Sequence, residues 1–230
     1  LSVASALHHW RCDESASPFA DLGSSPVDLA SAAGTREYAR AGIYARYNAT
    51  LQRSPAATDR LESVVSDIPS ATDFTFGLTV ASESGAAIAS GLSMIASINN
   101  GAAAGSDFGV YLLADSAGPG VYIAVHHAGT NADSSVVGIN WTIPHRFDVV
   151  YTAAAHAATL YVDGIARATA TTALATMAAL THCNVGGLAT AYPGVNGSAL
   201  MAADFTIHLS ALSASTILTR ADVCRRMVGG

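Results

Sequence analysis

The sequence predicts an all-β fold, a sandwich or barrel, with one short helix at its C-terminal end. Gly, Ser, Asn and Asp recur about every 8–15 residues, and short runs of β-branched and aromatic residues lie between them, as in sandwiches and barrels. Near the end of the chain the period changes, and apolar residues from Ile217 to Val228 recur at helical spacing. Ser213 is a suitable N-cap, so the helix is predicted over residues 213–228.

The clearest strand signals lie in two segments. In Asp73–Val80 every second side chain is apolar, which places these side chains on one face of a strand. Arg146–Thr172 holds three strand-like runs joined by a short connection and by Asp163-Gly164. That pair is a two-residue turn of the type that needs positive φ at both positions. We therefore interpret the second segment as a β-meander.

The rest of the chain follows from the same rules. A loop is predicted over Asp13–Pro26, a helical turn over Arg60–Val65 and a loose loop over Asn99–Asp107. No linker or repeat interrupts the pattern, so residues 1–230 are predicted to form a single domain. The remaining predicted strands are Val3–Trp10, Val27–Ala30, Ala41–Tyr47, Ala86–Ile98, Gly109–Ala114, Val121–His127, Val136–Ile139, His182–Gly186 and Met201–Leu209.

The composition excludes several classes of function. Charged residues make up 12% of the chain, against about a quarter in an average soluble domain. All eleven basic residues are Arg, and a chain without Lys has no Walker phosphate loop, Schiff base or Ser-Lys dyad. The net charge of −6 and the scattered Arg residues argue against nucleic-acid binding. No apolar stretch is long enough to predict a membrane span.

Several short motifs occur in an order that resembles one known superfamily. Leu160–Gly164 reads Leu-Tyr-Val-Asp-Gly, Val185–Gly187 reads Val-Gly-Gly, and Ala203–Ser213 ends in Leu-Ser-Ala-Leu-Ser. The opening run Ala6–Trp10 matches a first strand that leads into an acidic loop. Over residues 4–213 the chain thus resembles the LamG-like branch of the concanavalin A-like lectin/glucanase superfamily.

The resemblance implies a two-sheet antiparallel jelly roll with the short helix added at the end. It does not imply a particular function, because the fold hosts lectins, glucanases, adhesion modules and structural domains. The enzymes of the superfamily carry paired carboxylates on one strand face, where one attacks and another donates a proton. This sequence has four Glu residues, and none lies in such an array. We therefore expect that the chain is not an enzyme.

The resemblance also implies a calcium site. LamG-like domains often hold Ca²⁺ near the acidic first loop and a late aspartate, and Asp21 and Asp204 stand at the matching positions, with Asp13 near them in sequence. Carboxylate and carbonyl oxygens are the ligands that this hard cation prefers. The alternative is that Asp21 caps a turn and Asp204 is a surface residue of a strand. Calcium is the one cofactor for which the sequence offers ligands.

Two further sets of metal-ligating residue types are predicted to be structural. His8-His9 and His126-His127 lie in predicted strands, where neighbouring side chains point to opposite faces and cannot hold one metal together. The three cysteines, Cys12, Cys183 and Cys224, are far apart and form no zinc motif, so they are interpreted as small buried hydrophobic residues.

Sugar binding requires an exposed aromatic ring with amide or carboxylate groups beside it. Trp141 follows Asn140 in a predicted loop, and Tyr192 lies in a Gly-rich loop. Trp141, Tyr192 and Asn140 are therefore the candidate ligand-binding residues. For Trp141 the competing interpretation is packing in the core.

The low charge of the chain suggests an assembly component. Predicted outward strand positions hold Ala, Ser and Thr rather than Lys and Glu, and such a surface loses little entropy when neighbours cover it. We expect a structural or binding protein of a bacteriophage particle, on the head as a decoration protein or on the tail, that stabilises the assembly and contacts host glycans. Its partners would be other virion subunits and its own copies. The alternative is a free or secreted, extracellular carbohydrate-binding module.

Overall fold

In the computed structural model of the chain, two antiparallel sheets are followed by one helix. The described residues are 6–228, except 13, 15, 17, 34–35, 41–48, 53–59, 83–91, 103–105, 116–119, 129, 173–176, 188–194 and 198–200. The elements are β1 (His8–Trp10), β2 (Ala30–Ala33), β3 (Arg36–Arg40), β4 (Ala49–Gln52), β5 (Arg60–Ile68), β6 (Phe74–Ala81), β7 (Leu92–Asn99), β8 (Phe108–Asp115), β9 (Gly120–His127), β10 (Thr130–Asp133), β11 (Val137–Gly138), β12 (His145–Thr152), β13 (Ala157–Val162), β14 (Ile165–Thr171), β15 (Leu180–Val185), β16 (Val195–Gly197), β17 (Met201–His208) and α1 (Ala214–Val228).

The strands form two sheets of different order. The first sheet runs β14-β13-β12-β6-β17-β4-β3, with β1 beside β17. The second runs β10-β9-β8-β7-β15-β5-β2, with β11 beside β9 and β16 beside β7. Neighbouring strands are antiparallel except β16, which runs parallel to β7. The predicted two-sheet antiparallel sandwich with a short C-terminal helix is confirmed. The prediction that residues 1–230 form a single domain stays a prediction.

Alternation along the strands builds the core between the two sheets. One hydrophobic cluster takes inward side chains from both sheets, such as Phe76 and Val149 from the first and Ile98 and Leu112 from the second. The residues between them point to the outer face of each sheet, because successive side chains of a strand alternate. Outward positions are therefore the places where a site can lie on this scaffold.

The predicted meander is β12, β13 and β14. Asp163 and Gly164 have φ angles of 52° and 86° and form the two-residue turn between the last two strands. His145 ties this turn to the preceding loop, because its Nδ1 lies 2.7 Å from Asp163 Oδ2 and its Nε2 lies 2.9 Å from the Asn140 carbonyl. Burial alone would lower the pKa of His145, but these two acceptors favour the imidazolium and raise it.

The predicted helical turn over Arg60–Val65 is wrong, since Arg60–Ile68 is the strand β5. This strand pairs with β15 on one side and with β2 on the other. Its sequence is polar at every second position, and local propensity favoured a turn because it takes no account of pairing with residues more than 100 positions away. The predicted strand Ala41–Tyr47 lies outside the described residues.

The C-terminal helix starts as predicted. The Thr216 N–H donates to Ser213 Oγ at 3.2 Å, which satisfies one of the free donors of the first helical turn. The helix buries Ile217, Ala221 and Cys224 against the first sheet. In the described part of the chain, no helix has the length and apolar character that crossing a membrane requires.

Candidate functional site

Asp21 anchors the first loop through hydrogen bonds to its carboxylate. Its Oδ2 lies 2.6 Å from His8 Nδ1 and accepts the Val27 N–H at 3.0 Å, and its Oδ1 accepts the N–H groups of His9 and Gly23 at 2.7 and 2.8 Å. Burial alone would raise the pKa of Asp21, but these hydrogen bonds lower it below its ordinary value. The carboxylate is thus surrounded by N–H donors.

Asp204 is held by a different set of donors. It has a φ of 55° at a break in the register of β17. Its Oδ1 lies 2.6 Å from His9 Nε2, and its Oδ2 accepts from Arg146 Nη1 at 3.2 Å. Burial would raise the pKa of Asp204, but the hydrogen bond from His9 and the charge of Arg146 lower it to about 2.

These contacts do not support the expected calcium site. A Ca²⁺ ion needs six to eight oxygen ligands, whereas the oxygens of Asp21 and Asp204 are engaged by nitrogen donors of separate groups. Asp13 lies outside the described residues. Within the ranges that the structure describes, no three His, Cys, Asp or Glu side chains come together as a metal site.

The three residues predicted to bind sugar do not form one site. Trp141 is 3% exposed and packs against Phe147, so its ring belongs to the core and cannot stack on a ligand. Asn140 is exposed, but its Oδ1 already accepts the N–H and hydroxyl of Thr142 at 3.2 and 2.6 Å. Tyr192 lies outside the described residues. The candidate site must therefore be sought elsewhere.

A row of polar side chains crosses the outer face of the second sheet. Cys183 and Val185 belong to the core, so Asn184 between them points outward. Asn184 stands opposite Glu62 on β5 and opposite Ser97 on β7. Ser97 in turn stands opposite Tyr111 on β8. We call Glu62, Asn184, Ser97 and Tyr111 the polar row.

Asn184 is the exceptional member of the polar row. It is fully buried, yet neither its Oδ1 nor its Nδ2 has a hydrogen-bond partner within the described residues. The next amide along β7 differs, because Asn99 donates from Nδ2 to Ser97 Oγ at 2.9 Å. Leaving a buried donor and a buried acceptor unpaired costs about 1–3 kcal/mol for each group. Unpaired groups of this kind are common where a ligand completes the bonding.

The polar row ends at a cluster of three residues on β8, β9 and the loop before them. Asp107 Oδ2 lies 2.7 Å from His126 Nδ1 and accepts the Tyr111 hydroxyl at 3.0 Å. Burial alone would raise the pKa of Asp107, but the hydrogen bond and charge of His126 lower it. The carboxylate therefore orients the imidazole and the phenol and holds both in fixed positions beside the row.

Sequence reasoning missed this face. The signal was present as polar residues at alternate positions of apolar strands, namely Ser97 and Asn99 on β7 and Asn184 on β15. The prediction that neighbouring histidines face apart is confirmed at the same edge. His126 contacts Asp107, whereas the ring of His127 lies edge-on to Phe108 with 4.6 Å between centroids.

No protein-family model matches the chain, and no curated protein sequence matches it either. Solved structures do match in fold. Trypanosoma rangeli sialidase in complex with 2,3-difluorosialic acid has a TM-score of 0.71 at 14% identity, over 97% of this chain and 33% of that one. The botulinum neurotoxin serotype D ligand binding domain in complex with N-acetylneuraminic acid has a TM-score of 0.68 at 12% identity, over 95% and 51%. This chain thus spans only about a third to a half of those proteins.

These likenesses define the chain as a β-sandwich of the kind found within a sialidase and within toxin binding domains. At such low identity the likeness shows the fold alone. It also makes the prediction that the chain is not an enzyme wrong, because a sialidase is an enzyme. The physical reason is that the prediction rested on a missing pair of carboxylates. Sialidases use a tyrosine nucleophile instead of that pair, so its absence excludes little.

Proposed function

We propose that the chain is a carbohydrate-binding sandwich of the LamG-like, concanavalin A-like type, which binds sugar along the polar row. The observation that carries the proposal is the unpaired side chain of Asn184. Its amide offers a donor and an acceptor side by side, which matches two neighbouring sugar hydroxyls. Ser97 and Tyr111 flank it with hydroxyl groups on the next two strands.

The charges beside the polar row favour a neutral sugar. Glu62 contacts both Arg60 and, at 3.8 Å, His182 Nε2. Asp107 is paired with His126. In the described part of this face the cationic groups thus already have carboxylate partners, and none is left over for an acidic sugar. The neighbouring structures with sialic acids as ligands support sugar binding by this fold, but we expect uncharged hexoses here.

Replacing Asn184 by Ala tests the site. Wild-type protein on a glycan array is expected to bind neutral sugars, and Asn184→Ala is expected to weaken that binding about tenfold or more, because two hydrogen bonds are lost. The thermal midpoint of the variant should not fall, since the substitution removes unpaired buried polar atoms. Asn140→Ala, which changes an exposed amide, should bind as the wild type does.

Two results would count against this site. One is an array without signal at high protein concentration. The other is an Asn184→Ala variant that binds sugar as strongly as wild type while keeping its fold.

We further propose that this module works on a bacteriophage particle, on the head or the tail, and that it stabilises the assembly beside other virion subunits and its own copies. The support is the outer surface. The exposed positions of β14 hold Ile, Ala, Thr and one Arg, and the chain contains no Lys. A surface with few long charged side chains loses little entropy and little hydration when a neighbouring subunit covers it.

The genes that flank the coding sequence and the mass of the native protein test this placement. Capsid or tail genes beside it, together with a native mass spectrum of oligomers and sedimentation with purified particles, would support it. A monomer that stays in the supernatant at high concentration would instead favour the free, extracellular module.

A further inference from the structure

A buried ionic layer separates the outer face of the first sheet from α1. Strands β1, β12 and β17 supply polar side chains to this face, and α1 supplies one more from above. The members are largely inaccessible to solvent, which is unusual for charged groups. They are His9, Arg146, Asp148, Asp204, Thr206, His208 and Arg220.

Arg146 organises the carboxylates of the layer. Its Nη2 donates to Asp148 Oδ1 at 2.9 Å, and its Nη1 donates to the carbonyl and carboxylate of Asp204 at 2.8 and 3.2 Å. Arg220 lies 3.7 Å from Asp148 Oδ1. Two guanidinium groups therefore face two carboxylates, and the layer is balanced when its histidines are neutral.

The helix α1 rests on this layer through few contacts. Ile217 is the one large apolar side chain among the described residues of α1 that is fully buried, while Leu218 is 43% exposed. Arg220 carries the polar contacts, because its Nη2 donates to Thr206 Oγ1 and its Nη1 to His208 Nε2. Burial and the charge of Arg146 lower the pKa of Arg220, as expected for a cation crowded by another.

His208 must be neutral for this contact to form. A guanidinium has five donors and no acceptor, so His208 Nε2 can take its hydrogen bond only with a free lone pair. A proton on Nε2 removes that lone pair and places a second cation against Arg220. His208 differs in this respect from the five histidines that lie beside a carboxylate, namely His8, His9, His126, His145 and His182.

The charged groups around His208 do not offset an added proton. On β12 these are Arg146 and Asp148, on β17 Asp204, on β1 His9, and on α1 Arg220 with the thiol of Cys224. The strand β6, which pairs with β17, has no titratable side chain. Both carboxylates are already matched by guanidinium groups, so protonation leaves one unbalanced positive charge in a buried layer, which is costly.

We propose that α1 is an acid-released cover: protonation of His208 detaches the helix from the first sheet while the sandwich stays folded. The sandwich tolerates mild acid because the histidines that contact its carboxylates gain attraction when they are protonated. The helix loses its polar anchor under the same conditions. Release of α1 exposes the face that carries Arg146, Asp148 and Thr206.

Hydrogen exchange read by mass spectrometry at pH 7.5 and pH 5.0, corrected for intrinsic exchange, tests the cover. Protection in residues 214–228 is expected to fall at least tenfold in acid, while residues 145–171 keep theirs. His208→Gln should abolish this difference, because the Gln carbonyl oxygen can accept from Arg220 and cannot be protonated. His127→Gln, on the other sheet, should respond to pH as the wild type does.

The proposal fails if α1 is equally protected at both pH values in the wild type, or if His208→Gln releases the helix in acid as the wild type does. Should His208→Gln fold poorly, the NMR titration of the His208 imidazole decides instead. We then expect the α1 amide signals to change with the same midpoint as that imidazole, and two different midpoints would overturn the proposal. Sugar binding is measured separately and does not enter either readout.

Discussion

Replacing Arg146 by Met is expected to lower the free energy of unfolding by about 3–5 kcal/mol, the usual cost of removing one partner of a buried ion pair. Met fills much of the same volume, so the loss is electrostatic rather than steric. Asp148 is fully buried and would keep its negative charge with Arg220 3.7 Å away as the nearest remaining cation. Asp204 would lose both of the hydrogen bonds that Arg146 now donates to it.

Arg225→Met provides the matched control. Arg225 pairs with Asp222 at 2.6 Å, but the two side chains are 56% and 48% exposed. A pair of this kind contributes at most about 1 kcal/mol, so the control should unfold close to the wild-type denaturant midpoint. Urea unfolding followed by circular dichroism compares the two variants. Equal midpoints for both variants would mean that the buried layer contributes nothing to stability.

The sequence predicts the meander well and β5 poorly, for the same physical reason. In the meander each strand pairs with its neighbour along the chain, so the alternation and the Asp163-Gly164 turn contain the whole arrangement. The strand β5 pairs with β15 and β2, whose positions along the chain no local pattern reveals. Non-local pairing, rather than weak propensity, separates the success from the failure.

The candidate site divides in a similar way. Asp21 and Asp204 were singled out by the sequence, but as metal ligands; their actual partners, His8 and His9, stand next to each other and reach in different directions to one aspartate each. The polar row was missed because it forms only when β5, β15, β7 and β8 align in register. Single polar residues in apolar strands do not show which residues of other strands will lie beside them.

The buried layer also depends on a position without a side chain. Gly77 lies on β6 between β12 and β17, beneath the Arg146–Asp148 pair. A Cβ at this position would overlap Asp148 Oδ1 and would stand 2.7 Å from both Arg146 Nη2 and the carbonyl oxygen of Phe147. The absence of a side chain at residue 77 is thus the space in which the ion pair sits.

Gly77→Ala is therefore expected to destabilise the fold by about 3 kcal/mol, the upper part of the range for overpacking in a tight interior. The Phe147 carbonyl belongs to the backbone of a neighbouring strand and cannot move aside as a flexible side chain can. Gly138→Ala is the control, since a Cβ at Gly138 meets no atom within 4 Å. The control should stay within about 0.5 kcal/mol of wild type in the same urea titration.

A double variant tells the two effects of Gly77→Ala apart. If the added methyl group acts mainly by displacing Asp148 from Arg146, then Gly77→Ala and Arg146→Met remove the same interaction. Their combined cost should be smaller than the sum by about 1 kcal/mol or more, as is usual for residues in direct contact. Strict additivity would mean instead that the methyl group acts on the sheet backbone at Phe147, and that the ion pair survives the substitution.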